Sequence, residues 1–151
     1  MTYFWAILLL AIDQGAKLLI QTRMEIGESI PVFGPYFQLT FHRNPGAAWG
    51  MLAGQRWFLA AIGVIAIVAI SAFLRRVSNR WLRLGLVFIL GGAMGNTIDR
   101  ILWGSVVDFF DIRIIQYPIF NTADVFLVFG VVLAIMATWR DSRKEDVADG
   151  S

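Results

Sequence analysis

The sequence predicts an all-α membrane protein, a bundle of four transmembrane helices carrying a small extracytoplasmic β-sheet. Three observations predict it. Of 151 residues, 58% are hydrophobic and only 16% charged, and the mean hydropathy is +0.65, too apolar for a soluble globule of this length. The apolar residues gather in four runs, each near the length that ~30 Å of hydrocarbon demands, about 20 helical residues. Arginines and tryptophans stand at the ends of those runs, where the headgroup zone accepts both. A chain this short is expected to form one domain, 1–151.

The first span is expected over 3–21, interrupted by Asp13 and Lys17. A cleaved signal peptide is the rival reading of that segment, but it lacks a basic leading region and a clear small-x-small cleavage site. The second span, 57–74, is the cleanest: Trp57 to Leu74 holds eighteen residues without a charge and ends at Arg75-Arg76. The third, 84–101, follows Arg83 and closes on Asp99-Arg100. The fourth, 122–139, has Asp124 at its entrance and Arg140, Arg143 and Lys144 beyond its exit. Loops are left at 22–56 and 102–121, and the polar tail from Asp141 is expected to fray. There is no internal repeat.

Orientation follows from the basic residues. Arg75, Arg76, Arg80 and Arg83 crowd the short loop between spans two and three, whereas Arg23, Arg43 and Arg56 are spread along the first loop. The positive-inside rule therefore puts both termini in the cytoplasm and loops 22–56 and 102–121 outside. The same topology accounts for a formal charge of +2 and a pI near 9.4 without invoking nucleic acid as a partner.

In the first loop, Phe37 to His42 alternates apolar and polar residues, the period of a half-buried strand. Gly34-Pro35 and Asn44-Pro45-Gly46 bound it as turns. This is expected to give a sheet resting on the membrane surface, with Gln38, Thr40 and His42 facing water. The third loop is short and apolar and is expected to dip back towards the bundle.

With the spans oriented, polar groups converge. Asp13 and Lys17 from span one, Asn96, Asp99 and Arg100 from span three, Asn121 and Asp124 from span four, and Asp108 and Asp111 from the third loop all come towards one outward-facing region. A charge at bilayer depth costs at least ~2.5–3.5 kcal/mol on insertion scales, so such residues face the bundle interior and each other. Asp13 and Lys17, one turn apart, can simply neutralise each other. Asn96, Asp99 and Arg100 can cap span three, and Gly91, Gly92 and Gly95 suit close helix packing. Asp108 and Asp124 lack an obvious basic partner nearby in sequence, which favours a functional role. The absence of cysteine excludes thiol nucleophiles and zinc-thiolate sites, and His42 is the only histidine.

Five segments then carry a family resemblance: Asp13-x-x-x-Lys17, Asn44-Pro-Gly-Ala-Ala-Trp-Gly50, Gly91-Gly-Ala-Met-Gly-Asn-Thr-Ile-Asp-Arg100, Val106-Val-Asp-Phe109 and Phe120-Asn-Thr-Ala-Asp124. In that order they resemble the bacterial lipoprotein signal peptidases (signal peptidase II), over nearly the whole chain except the tail. Trp49, where the family more often has phenylalanine, and Pro45 after the asparagine are small departures that touch no proposed catalytic group.

The resemblance implies an aspartic peptidase of the bacterial cytoplasmic (inner) membrane, with its site near the outer face. Its substrate would be a diacylglyceryl-modified prolipoprotein met among membrane lipid. Residue by residue, it implies a catalytic dyad at Asp108 and Asp124. Asn44, Asn96, Arg100 and Asn121 would line the site, and Asp13 and Lys17 would support it. It also implies a small outer sheet and a short segment around Ala47 to Gly54 beside the cleft. No metal or other cofactor is called for, because two carboxylates sharing one site divide into an acid and a base.

Two other classes compete. A magnesium-dependent phosphatidyl-transfer enzyme also gathers aspartates at a membrane surface, but here they do not form a close carboxylate run on one helix. A small transporter or proton relay also buries Asp and Lys, but the interiors of spans two and four carry no charge to continue a path.

Overall fold

The computed structural model describes residues 2–115 and 117–149. Four helices and three strands follow in the order α1 (Thr2–Arg23), β1 (Ser29–Phe33), β2 (Phe37–Asn44), α2 (Arg56–Leu74), α3 (Arg80–Trp103), β3 (Val106–Ile112) and α4 (Thr122–Asp149). A single 3-10 turn at Ala48–Gly50 precedes α2. All four helices are long and apolar enough to cross a membrane.

The third helix is the centre of the bundle. Half of the residues in its apolar stretch are buried, against 11% in that of α2, and α1, α2 and α4 all pack on it. Its ends are set by sequence. The Asn79 side chain accepts from Trp81 N and Leu82 N at 2.8 and 3.1 Å, an N-cap. Gly104, at φ 76°, closes the other end with its N–H on Arg100 O. Glycines let the backbones touch: a Cβ on Gly85 would stand 2.6 Å from Gly130 O, and one on Gly130 would stand 2.5 Å from Gly85 O. Small residues at such crossings replace the hydrophobic drive that lipid removes. The outward faces carry Ile65, Val68, Val128, Ile135 and others in the exposed state, as lipid contact requires. Trp57, Trp81 and Trp103 lie exposed near helix ends, and Trp139 lies exposed near the end of the apolar span Thr122–Arg143 within α4.

The sheet, in the order β1-β2-β3, is antiparallel throughout. It sits at the end of the bundle where α1 and α3 finish and α4 begins, seated by Ile20, Met24, Phe41, Val107 and Phe109. Three expectations are corrected here. The loop 102–121 does not merely dip back; it contributes β3, whose Val106 to Phe109 are buried, so neither face shows the polar alternation that marks a strand.

Thr40 is buried rather than solvated. An irregularity between Leu39 and His42 shifts the pairing with β3, and the Thr40 hydroxyl meets Ser29 Oγ at 2.9 Å and donates to Asp111 Oδ2 at 2.8 Å. His42 is exposed as expected.

The tail is helical too: α4 continues to Asp149. No Gly or Pro interrupts 140–149, and Asn79 Nδ2 holds Asp141 Oδ2 at 2.5 Å.

Candidate functional site

Asp108 is delivered by β3 and Asp124 by the first turn of α4, and both line a cavity of about 460 Å³. Asn44, Asn96, Arg100 and Asn121 line it as well. The structure thus brings together six of the eight singled-out residues at one surface. The other two, Asp13 and Lys17, lie directly behind it.

Each carboxylate is held by amides. Asp108 Oδ2 accepts from Asn44 Nδ2 at 2.9 Å and Oδ1 accepts from Asn121 Nδ2 at 2.6 Å. Asp124 Oδ1 accepts from Asn96 Nδ2 at 2.8 Å. Its Oδ2 accepts from Asn121 N at 3.1 Å, and Asp124 N in turn donates to Asn121 Oδ1 at 3.1 Å. That reciprocal pair is a capping box at the start of α4, so helix initiation itself aims Asp124. Asn121 Nδ2 also donates to Asn96 Oδ1 at 3.1 Å, joining the two halves of the site.

Burial dominates the electrostatics of Asp108, which is 2% exposed. Loss of water pushes its carboxyl from the usual 3.8 up to about 7. The neighbouring Asp124 charge adds to the rise, while the Asn44 and Asn121 hydrogen bonds and the Lys17 charge work against it.

Arg100 reaches the cleft from α3. Its Nη1 donates to Asn96 O at 3.2 Å and its Nη2 to Gly46 O at 3.1 Å, which ties the Asn44-Pro-Gly turn to α3. A Cβ on Gly46 would stand 2.5 Å from Met51 O, so only glycine fits there. Beyond that turn, Trp49 and Leu52 adopt φ of 55° and 56°, a conformation costly for bulky residues. The Trp49 ring meets Tyr117, which lines the cavity, edge-on at 6.2 Å.

The reading of Asp13 and Lys17 as a self-contained neutral pair is corrected. They do pair, at 2.8 Å, but Lys17 Nζ also meets Asp99 Oδ2 at 3.0 Å and donates to Asn96 Oδ1 at 3.1 Å. Asp13 Oδ1 accepts from Thr122 Oγ1 at 2.6 Å and from Ala123 N at 2.8 Å. Gln14 and Thr122 were not singled out by sequence. Gln14 Nε2 reaches Asp99 Oδ1 at 3.0 Å, and its one signal was a polar residue adjoining Asp13 inside an apolar run. Asp111 stands apart from the cleft, engaged by Thr40 and by Arg113 Nε at 2.7 Å.

Comparison with known proteins follows the same lines. The family model described as Signal peptidase (SPase) II matches residues 5–140. A protein of Brevibacillus brevis named lipoprotein signal peptidase is 44% identical over 144 residues, covering 94% of this chain and 97% of its own. Its namesake in Bacillus subtilis is 44% identical over 147 residues, covering 95% and 96%. A solved structure described as a bacterial membrane enzyme superposes with a TM-score of 0.87 at 39% identity, over 93% of this chain and 88% of that one. A second of the same description gives 0.83 at 40% identity, over 93% of each.

Proposed function

The chain belongs to the signal peptidase II family, and from that premise we propose that it is an aspartic endopeptidase of diacylglyceryl-modified prolipoproteins, cutting just before the lipid-modified cysteine. The observation that carries the mechanism is one shared cavity holding Asp108 and Asp124, bridged by Asn121. Two buried carboxylates at one site do not both ionise cheaply, so one keeps a proton while the other acts as base. A carboxyl raised to about 7 suits that division at neutral pH.

In this reading the base draws a proton from water as the water attacks the scissile carbonyl. The acid hydrogen-bonds the carbonyl oxygen as charge develops on it, then passes its proton to the departing amine. Asn44, Asn96 and Asn121 hold the carboxylates in line, and Arg100 anchors the Asn44 turn and lines the cleft. The water-attack step is complete without a metal or other cofactor.

The basic cluster at Arg75, Arg76, Arg80 and Arg83 supports cytoplasmic termini and a sheet on the outer side of the bacterial inner membrane. The site then lies where a substrate with acyl chains in lipid presents its scissile bond at the surface. The four helices and the sheet work as one peptidase domain spanning the chain.

The test is incubation of the purified protein with a diacylglyceryl-modified preprolipoprotein. Release of the intact signal peptide, with the modified cysteine at the new N-terminus, is the expected product. Equal cleavage of the unmodified precursor would contradict the substrate assignment.

A further inference from the structure

One buried ion cluster, behind the cleft, carries more charge than helix packing needs. Asp13, Lys17 and Asp99 are 0%, 1% and 2% exposed. Two buried carboxylates therefore share one ammonium. Helix α1 needs only one carboxylate to neutralise Lys17, and each further buried charge costs desolvation.

The extra contacts of the two carboxylates run in parallel. Asp13 Oδ1 accepts from Ala123 N at 2.8 Å, the backbone N–H immediately before Asp124. Asp99 Oδ2 accepts from Val107 N at 3.2 Å, the backbone N–H immediately before Asp108. Lys17 Nζ lies between them, at 2.8 Å from Asp13 and 3.0 Å from Asp99. Its remaining bond goes to Asn96 Oδ1, and Asn96 Nδ2 holds Asp124. Gln14 Nε2 bridges the same two carboxylates, at 3.2 Å from Asp13 Oδ2 and 3.0 Å from Asp99 Oδ1.

We propose that Asp99 is a positioning residue for the reaction: through Val107 N it fixes the strand that presents Asp108, as Asp13 fixes the helix start that presents Asp124, with Lys17 coupling the two arms. The inference rests on the dyad reading above. A strand alternates its side chains between faces, so holding the 107 amide to α3 sets both the height of β3 over the bundle and the direction of the next side chain. Val107 itself is 0% exposed in the apolar cluster beneath the sheet, but that contact is non-directional, whereas the hydrogen bond fixes an angle. Misplacement of a reacting group by about 1 Å can cost ~10²-fold in rate.

Two substitutions separate positioning from assembly. Asp99→Leu is close in size and leaves Lys17 and Asp13 as a balanced pair, but gives Val107 N no acceptor. Asp99→Asn also removes the charge, yet keeps an oxygen for Val107 N. Thermal midpoints in detergent, kcat and KM are measured for both. The Leu variant is expected to fold and to lose kcat by about 10²-fold with KM within a few-fold of wild type. The Asn variant should recover kcat to within about 10-fold of wild type.

A Leu variant that does not fold, or that keeps wild-type kcat, overturns the proposal. So does an Asn variant as slow as the Leu variant, because the charge rather than the hydrogen bond would then matter. Failure of the dyad reading is seen separately, as retained turnover in Asp108→Asn or Asp124→Asn.

Discussion

Asn121 holds Asp108 with its side-chain amide, at 2.6 Å from Oδ1, while it caps the helix that carries Asp124. One residue therefore has two separable duties, and substitutions divide them. Asn121→Ser keeps an N-cap oxygen but cannot reach Asp108, whereas Asn121→Ala loses both. Loss of an N-cap costs ~1 kcal/mol, so the Ala variant should melt measurably lower in detergent than the Ser variant, both having lost the bonds to Asp108 and Asn96. Both should lose signal-peptide release by about 10²-fold or more, on the scale of a disturbed acid–base group. Equal stability of the two variants, or normal activity in the Ser variant, would contradict the assignment.

The raised carboxyl of Asp108 makes stability depend on pH. Its folded value of about 7 lies above the ordinary 3.8, so the folded protein binds that proton more tightly than the unfolded chain. The resulting stabilisation is complete below about pH 4, declines as pH rises through 7, and is absent above, relative to a carboxyl without the shift. Asp108→Asn removes the penalty of a buried charge. It should raise the thermal midpoint at pH 8 and raise it less, or not at all, at pH 5. The check is a melting series of both proteins across that range, and a gain larger at pH 5 would refute the electrostatic account.

The Gly85–Gly130 crossing is predicted to govern stability alone. In Gly130→Ala the new methyl would meet the Gly85 carbonyl at 2.5 Å and the Ile89 side chain at 2.7 Å. Overpacking of this kind costs roughly 1–3 kcal/mol. The variant should melt earlier and express less, yet cut at the wild-type rate per folded molecule. A normal midpoint would show that α3 and α4 separate freely there.

Orientation is tested at the sheet. The chain has no cysteine, so a single one placed at exposed Glu28 reports without background. With the outer membrane permeable and the inner membrane intact, an impermeant thiol reagent should label it. Labelling only after the inner membrane is broken would place the sheet in the cytoplasm.

The helices were legible because their signal is one-dimensional. Trp57 to Leu74 has no charge to hide it, and α2 falls at Arg56–Leu74. The carboxylate pair was legible through motifs, since Val106-Val-Asp-Phe109 and Phe120-Asn-Thr-Ala-Asp124 resemble the same family in the same order. Strand β3 was not. Its Val106, Val107, Asp108 and Phe109 are all buried, and a strand covered on both faces has no period to read. Thr40 was misplaced because a register irregularity turns the pattern within a single residue. The link from Asp99 to Val107 depends on the depth at which β3 crosses α3, which only packing determines. That Lys17 serves two carboxylates likewise needs α1 and α3 in contact, a distance that helical spacing along α1 cannot supply.

The most direct measurement of the central claim is signal-peptide release per amount of folded protein for Asp108→Asn and Asp124→Asn. Both substitutions keep the shape and much of the amide hydrogen bonding but remove the carboxyl acid–base function. A dyad working as a unit loses most of its rate when either member is replaced, and general acid–base catalysis is worth about 10²–10⁴. Both variants are predicted to fold, insert and bind substrate while cutting it slower by at least about 10²-fold. Asp13→Asn should chiefly lower stability or yield. Near-normal turnover in either well-folded dyad variant would contradict the account.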